Sequence, residues 1–420
     1  MHRDQSALDA AQALNRSCRC MTVDVAALRA AVEDRLRAAG LSADLAATHP
    51  HLFAQVPVFI DAAHARRMAE VVRAVEQAVA LPAYRDTVLE SSPQTARHVS
   101  GARGAFLGFD FHLCAEGPKL IEINTNAGGG LLAGMLTDAA LACCGATPAA
   151  SAGGFERQAI EMLLAEWSRT GRAGRPSAIA IIDQAPETQY LFPEFLLAVR
   201  AIERTGMRAV VAAPQDLELR GGELHARGER VDLVYNRLCD FSLEAEANRA
   251  LRDAFLSNAA VVTPDPRAHA LYADKRWIEL LGDEAWLAHA GLDPRLAALL
   301  GESVPRTFQV RPEDSERLWQ ERKGLFFKPA VGFGSRGTYR GDKLTRRVFD
   351  DILHGVYVAQ ALVAPSQRAS VSEGEAPFKL DVRNYAYAVE VQLLAARLWR
   401  GQTTNFRTEG GGFAPVFVLS

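Results

Sequence analysis

The stretch of sequence that decides the fold runs from Gly108 to Gly130 and reads GFDFHLCAEGPKLIEINTNAGGG. Two short apolar runs, FDFHL and KLIEIN, are joined by CAEGP, which predicts a pair of strands. Glu122 and Asn124 interrupt the second run two residues apart. Because residues i and i+2 of a strand point to the same face, both side chains are expected to project together, with Asp110 of the preceding strand across from them.

This pattern has a functional and a structural interpretation. Three hard oxygen ligands, from Asp110, Glu122 and Asn124, suit a Mg²⁺ ion. Alternatively, Glu122 and Asn124 lie on the solvated face of a half-buried strand. The run NTNAGGG follows at once and offers backbone donors, which favours the metal site.

The composition restricts what the chain can bind. It has 420 residues, of which 49% are hydrophobic and 23% charged, which indicates a globular protein of two or three domains. The formal charge of -3 gives no global basic field that would attract nucleic acid or an anionic membrane. The six cysteines form no CxxC pair, and no segment reaches the ~18 consecutive apolar residues of a membrane span. We therefore expect a cytoplasmic protein that binds any anion locally.

Four regions are predicted along the chain: helical residues 1–104, the strand pair and two helices in 105–176, a small α/β domain in 177–265, and a mixed region in 266–420. The second helical pattern of the first region extends to about residue 81. In 177–265 the order strand, helix, strand predicts a parallel sheet. The segment HALYADKRWIELLG, residues 269–282, is predicted to be one helix.

A glycine-rich loop follows a strand near the C-terminal end, in FFKPAVGFGSRGTYRG. Lys328 ends the strand, and Gly332, Gly334 and Gly337 come next, so backbone N–H groups and a point charge are available to a polyphosphate. The spacing matches neither GxxxxGK[ST] nor a dinucleotide fingerprint. The alternative is a glycine hairpin beside an incidental surface lysine.

Together these blocks resemble the ATP-grasp ligases. The blocks are GFDFHL with KLIEINTNAGG, then FFKPAVGFGSRG, and then DVRNYAY with ARLWRGQTTNFRTEGGG. The D…ExN block comes first here and last in most of that family, so the chain resembles a circularly permuted member. Over residues 105–415 the order is similar to that of eukaryotic-type glutathione synthetase and, more loosely, glutathionylspermidine synthetase. The resemblance implies an α/β (α+β) fold with an inserted parallel α/β substrate domain.

The resemblance also implies roles for individual residues, with ATP and Mg²⁺ as cofactors. Asp110, Glu122 and Asn124 would hold the metal ion. Arg383, Lys328 and Arg407 would act in catalysis, and Arg237, Arg407 and Asn126 would bind the substrate. The nucleotide would be bound by a larger group, in which the glycines and their neighbours form a phosphate lid: Lys275, Lys328, Gly332, Gly334, Ser335, Arg336, Gly337 and Gln360.

Two positions depart from the glutathione synthetase pattern. Gly332 stands where that family has a metal-binding Glu, and Asp110 is the candidate replacement. Gly108 stands where it has a substrate-binding Arg. We therefore expect an acyl substrate other than γ-glutamylcysteine.

The sequence thus predicts an ATP-dependent carboxylate–amine ligase that acts on a small amino acid or short peptide through an acyl phosphate. A kinase of this fold and a non-catalytic nucleotide-binding module are the alternatives. Small molecules are the expected partners, without nucleic acid or membrane, and a homodimer is compatible with the chain.

Each candidate residue also has a structural interpretation. Lys275 could be a solvated helix lysine, and Arg237 and Arg407 could be ion-pair partners. Arg383 could pair only with Asp381, and His112 is predicted to be a packed core histidine.

Overall fold

A computed structural model describes residues 2–18, 22–38, 44–143, 154–332 and 337–419. Its helices are α1 His2–Ser17, α2 Val25–Ala38, α3 Leu45–Thr48, α4 Ala62–Ala80, α5 Pro82–Glu90, α6 Gln94–Arg97, α7 Gly130–Cys143, α8 Gly154–Arg169, α9 Phe192–Glu203, α10 Arg249–Leu256, α11 Pro266–Ala268, α12 Ile278–Leu281, α13 Glu284–His289, α14 Pro294–Ser303, α15 Ser315–Glu321 and α16 Arg346–His354. Its strands are β1 Val58–Asp61, β2 Leu107–Cys114, β3 Gly117–Asn124, β4 Ala178–Ile182, β5 Arg208–Ala212, β6 Leu217–Arg220, β7 Glu223–Ala226, β8 Glu229–Val231, β9 Leu233–Asn236, β10 Val261–Thr263, β11 Thr307–Gln309, β12 Leu325–Pro329, β13 Tyr339–Arg340, β14 Tyr357–Ala361, β15 Ser366–Arg368, β16 Phe378–Tyr387, β17 Glu390–Trp399 and β18 Gly412–Leu419.

The central sheet joins the two ends of the sequence. Its strand order is β1-β18-β17-β16-β2-β3, and β15 pairs with β16. The strands β2 and β3 form the antiparallel pair predicted from the sequence, with Asp110 opposite Glu122. The next strand, β16, is antiparallel to β2 and places Arg383 opposite Asp110. Three predicted site residues from distant parts of the chain therefore lie side by side.

A small antiparallel sheet, in the order β11-β14-β12-β13, lies against the central sheet. The end of β12 carries Lys328, whose Nζ donates to the carbonyl oxygen of Ile121 in β3 at 3.1 Å and to Oε1 of Gln360 in β14 at 2.8 Å. This contact joins the two sheets at the site that the sequence predicts.

The third sheet is parallel, in the order β10-β9-β4-β5. All four strands lie between Ala178 and Thr263, where the alternation of strands and a helix predicts such a sheet. A meander of β6, β7 and β8 is the fourth sheet. The fold class is thus mixed α and β, as predicted, while the domain limits and the permuted order stay predictions.

The core of the central sheet is covered by α4, whose apolar face includes Met68, Val71 and Val75. These residues recur at three- and four-residue spacing, which places them on one side of the helix. Among the helices of the described ranges, none combines the length and apolar character that a membrane span needs.

Two predicted helical segments are wrong in detail. In the first region, Val58–Asp61 form the strand β1, which pairs in parallel with β18; no local pattern could reveal a partner so far along the chain. The segment 269–282 is not one helix, because it consists of a π-helical turn, a 3₁₀ turn and α12. Asp274 interrupts it in an extended conformation, and the N–H of Lys275 donates to the carbonyl oxygen of Ala330.

Gly129 shows how tightly the segment after β3 packs against Phe413 of β18. Its φ is +90°, and a Cβ there would meet the ring of Phe413 at 1.9 Å. We expect Gly129→Ala to lower the free energy of unfolding by about 3 kcal/mol or more, because backbone strain and overpacking add. Gly171→Ala is the control, since its φ is +76° but nothing lies within 4 Å, and it should cost about 1–2 kcal/mol. Urea denaturation measures both, and equal losses would contradict this account.

Candidate functional site

An open cavity lies between the central sheet and the small antiparallel sheet. Six of the predicted site residues line it together: Asp110, Glu122, Lys275, Lys328, Gly332 and Gln360. His112, Asp381 and Arg397 also line the cavity, although the sequence did not place them in a site. Polar and charged groups therefore converge on one space from both sheets.

Asp110 is the most heavily bonded carboxylate in this cluster. Arg383 donates two hydrogen bonds to it, from Nε to Oδ1 at 2.6 Å and from Nη2 to Oδ2 at 2.7 Å. Arg397 donates to Oδ2 at 2.8 Å, and the amide of Asn124 donates to the same oxygen at 3.1 Å. Burial alone would raise the pKa of Asp110, but the charges of Arg383 and Arg397 lower it overall.

Arg397 also binds a second carboxylate. Its Nε and Nη2 donate to Oδ1 and Oδ2 of Asp381 at 2.9 and 2.8 Å. This pairing excludes the alternative that Arg383 is held only by Asp381, because Arg383 bonds Asp110 across the neighbouring strand. The register places Asp381 opposite Arg397, and only that long-range register could have revealed the pair.

Two buried lysines face these carboxylates. Lys275 is 4% exposed and forms an ion pair with Oε1 of Glu122 at 3.0 Å, so it is not a solvated helix lysine. Its Nζ also donates to the carbonyl oxygen of Gly332 at 3.2 Å. Burial lowers the pKa of Lys328 to about 8, although the charge of Glu122 opposes this shift. Burial raises the pKa of Glu122, but the charges of Lys275 and Lys328 lower it overall.

A second group of charges lies at the edge of the parallel sheet. Asp183 and Arg237 follow β4 and β9 directly, and these neighbouring strands are in register at Ile182 and Asn236. β4 is also the strand at which the sheet order changes direction, since β5 lies on its other side. The carboxyl ends of strands at such a point form a crevice where ligands bind in open α/β sheets.

Arg237 is only 8% exposed. Its Nη1 donates to the carbonyl oxygen of Asn126 and to the hydroxyl of Tyr235. Its buried Nε has no acceptor among the described residues, and none of the described hydrogen bonds involves Nη2. Burial alone would lower the pKa of Arg237, but nearby Tyr235, Glu194 and Asp183 raise it overall. The edge of this guanidinium formed by Nε and Nη2 thus has no hydrogen-bond partner among the described residues.

The segment that follows β3 connects the two groups. Asn126 donates from Nδ2 to the carbonyl oxygens of Arg237 and Leu238, both at 3.3 Å. The carboxylate of Glu194 accepts from the N–H of Gly129 at 2.7 Å and of Leu131 at 2.9 Å. These backbone donors of the glycine run are therefore bonded within the protein.

The remaining predicted residues lie elsewhere. Arg407 is exposed on the loop between β17 and β18, where its backbone N–H donates to Asn405, and no described side-chain contact links it to either group. Gly337 has a φ of +66° and lies near Tyr357. Gly334, Ser335 and Arg336 lie outside the described residues.

His112 is not a simple core histidine. It lines the cavity, and its Nδ1 is 2.9 Å from the carbonyl oxygen of Val363. Burial lowers its pKa. The regular alternation of β2 places it on the same face as Asp110, which is the signal that could have identified it.

Comparisons with known proteins agree with this arrangement at the level of the fold. No family model matches the sequence, and no curated protein matches it. A glutathione synthetase-like effector from Globodera pallida has a similar structure, with a TM-score of 0.58 at 12% identity over 96% of this chain and 99% of that chain. The fold of this chain is thus similar to that of a glutathione synthetase-like protein. This likeness in fold agrees with the resemblance that the sequence indicates.

Two further structures are more distant. A protein assigned as a gamma-glutamylcysteine synthetase from Methylobacillus flagellatus has a TM-score of 0.45 at 11% identity, over 84% of this chain and 88% of that chain. The ATP-grasp ligase PsnB, complexed with a minimal precursor, Mg and ADP, has a TM-score of 0.28 at 14% identity, over 57% of this chain and 87% of that chain. At these scores neither carries an argument about this chain.

Glu122 and Asn124 are the side chains of this cluster that fit a Mg²⁺ ion. The described residues include no cluster of three or more His, Cys, Asp or Glu side chains that could hold a metal. Asn124 donates from Nδ2 to Asp110, so its Oδ1 remains available as a ligand, and Glu122 supplies a carboxylate. One carboxylate with few protein ligands suits Mg²⁺, which also binds phosphates and water. Asp110 already accepts four hydrogen bonds, which favours a role in orienting Arg383 and Asn124.

The raised pKa of Asp183, at the edge of the parallel sheet, predicts how stability depends on pH. Burial raises this pKa to about 6, although the charge of Arg237 opposes the shift. The folded state then binds the proton of Asp183 more tightly than the unfolded state does. The contribution of this group to the free energy of unfolding is therefore fully present below about pH 4 and is lost as pH rises through about 6. Asp183→Asn should therefore gain up to about 3 kcal/mol relative to wild type between pH 4 and pH 8. Urea denaturation across this range measures the difference, with exposed Asp86→Asn as the control; a difference that does not change with pH would refute the raised pKa.

Proposed function

We propose that this protein is an ATP-dependent carboxylate–amine ligase that forms an amide through an acyl phosphate and releases ADP and phosphate. One observation carries the proposal: the buried lysines Lys275 and Lys328 line one cavity between the two sheets together with Glu122, Arg397 and Asp110. Asp110 in turn binds Arg383 and Asn124. Such a cavity suits a polyphosphate, because five cationic side chains face three carboxylates among its described lining residues.

The nucleotide would lie between the two sheets. Lys275 and Lys328 would contact its phosphates, and Gly332 lies beside Lys275 at the start of the glycine loop. Gln360 is buried on β14, where its amide donates to Thr307 and its Oε1 accepts from Lys328. These bonds fix Gln360 and Lys328 relative to each other, so the base and the phosphates would be positioned by one strand pair.

Mg²⁺ would be held by Glu122 and Asn124 and would neutralise charge on the phosphates during transfer. The protein's own part is positioning and electrostatics. Nε and Nη2 of Arg383 are committed to Asp110, which leaves Nη1 for the transferring phosphoryl group. A substrate carboxylate attacks the γ-phosphorus, and an amine then displaces phosphate from the acyl phosphate. The buried lysines would stabilise negative charge on the phosphates.

The acyl substrate would be a small amino acid or short peptide in the crevice of Asp183 and Arg237. The free edge of Arg237, Nε with Nη2, is the edge with which Arg383 and Arg397 each bind an aspartate. Bidentate binding of a carboxylate is thus its expected use. Asp183 offers a carboxylate for an ammonium group. Because Asn126 links Arg237 to the strand of Glu122 and Asn124, the substrate would lie close to the phosphates.

The decisive experiment is an ADP-release assay. Purified protein with ATP and Mg²⁺ is screened against amino acids and dipeptides, each with and without an amine panel, and products are identified by mass spectrometry. A ligase releases ADP and phosphate only when carboxylate and amine are both present. Glu122→Ala should lower the rate by two orders of magnitude or more, since losing a metal ligand removes several kcal/mol of transition-state stabilisation.

Two other outcomes of the ADP-release assay would favour a kinase or a non-catalytic binding module over a ligase. A stable phosphorylated substrate would indicate a kinase, and ATP binding without turnover would indicate a binding module. A Glu122→Ala variant with the wild-type rate would contradict the metal assignment.

Arg237→Lys tests the substrate crevice. Lysine keeps the charge but lacks the paired N–H edge, so the apparent KM for the acyl substrate should rise roughly tenfold or more with a smaller change in kcat. Arg230→Lys is the control, because Arg230 is an exposed arginine of β8. An unchanged KM for the acyl substrate in folded Arg237→Lys would show that Arg237 has a structural role only. Arg407→Ala is assayed in parallel and tests in the same way whether the exposed Arg407 binds the substrate.

A further inference from the structure

His112 is a polar residue of the cavity that the proposed mechanism leaves unused. It lies in β2 on the face of Asp110, and its ring contacts the loop that follows β14 through Val363. The phosphate end of the cavity is marked by Lys275, Lys328 and Gly332. His112 lines the same cavity together with Leu362, Val363 and Pro365 of the loop after β14.

The hydrogen bond to Val363 fixes the state of the ring. A carbonyl oxygen can only accept, so Nδ1 must carry the proton. At pH 8 an imidazole is neutral, and its Nε2 is then a bare acceptor. No described group donates to Nε2, and this atom is not among the buried unpartnered atoms of the described residues. Nε2 is therefore exposed and can accept a hydrogen bond from a ligand in the cavity.

The position of this acceptor limits the donor. Phosphate oxygens at pH 8 only accept, so the phosphates cannot satisfy Nε2. A nucleoside has donors in its ribose hydroxyls and in the exocyclic amine of adenine. With the base against the strand of Gln360 and the phosphates at Lys275 and Lys328, a ribose between them would lie in the cavity that His112 also lines.

We propose that Nε2 of His112 accepts a hydrogen bond from a ribose hydroxyl of the bound nucleotide. His112 is then a specificity-determining residue that recognises the ribose of the nucleotide. This inference rests on the proposed function, because it takes ATP as the ligand of the cavity.

The test compares dissociation constants of ATP, 2′-deoxyATP and 3′-deoxyATP at pH 8 by titration calorimetry. Wild-type protein should bind ATP about three- to tenfold more tightly than one of the two analogues, as the loss of one neutral hydrogen bond predicts. Two variants distinguish the roles of the two ring nitrogens of His112. His112→Asn keeps a donor at the position of Nδ1 but does not reach that of Nε2, so it should bind ATP and that analogue equally. His112→Gln places an amide at the position of Nε2 and should keep the preference.

Each contrary result has a distinct meaning. ATP binding without any ribose preference, or a preference that His112→Asn retains, overturns this inference alone. Inosine triphosphate lacks the exocyclic amine of adenine. If wild-type protein binds it more weakly than ATP in a way that depends on His112, and binds ATP and both deoxy analogues equally, then Nε2 contacts the base and this inference is overturned. If wild-type protein binds neither ATP nor its analogues, the proposed function fails and this inference fails with it. Thermal melting of both variants confirms that they are folded before affinities are compared.

Discussion

The buried carboxylate of Asp110 is the interaction on which the site depends. It is 2% exposed, and it binds Arg383 of β16, Arg397 of β17 and Asn124 of β3. A buried charge is costly unless it is paired and hydrogen-bonded, and here every donor comes from a different strand. The same bonds orient both guanidinium groups and leave the amide oxygen of Asn124 available. One carboxylate therefore sets the positions of three other site residues.

The sequence predicts the parts of this site that local geometry controls. The alternation of β3 places Glu122 and Asn124 on one face. The tight turn pairs β2 with β3, but Asp110 lies opposite Glu122 only because the register shifts between Asp110 and Phe111, which the sequence does not show. The pairing of Asp381 with Arg397 is not predictable in this way, because it depends on the register of β16 and β17. Likewise, nothing in the residues around Lys275 shows that it is buried, since its position follows from a backbone bond to Ala330 in another part of the chain.

The charge of the cavity is opposite in sign to that of the whole chain. The protein has a formal charge of -3, yet the cavity gathers more cationic than anionic side chains. Lys328 has a lowered pKa because burial disfavours its charged form. Such destabilised ionised groups are typical of functional sites, where they are retained for binding rather than for stability. Anion binding is thus a local property that composition alone cannot show.

The bonds made by the segment after β3 have a thermodynamic consequence. Asn126 is bonded to the chain around Arg237, and Gly129 and Leu131 are bonded to Glu194. A ligand that moves the edge of the parallel sheet must also strain the strand that carries Glu122 and Asn124, or break these bonds. Any cooperativity carried by this segment is reciprocal. If the nucleotide increases affinity for the acyl substrate by some factor, the acyl substrate increases affinity for the nucleotide by the same factor.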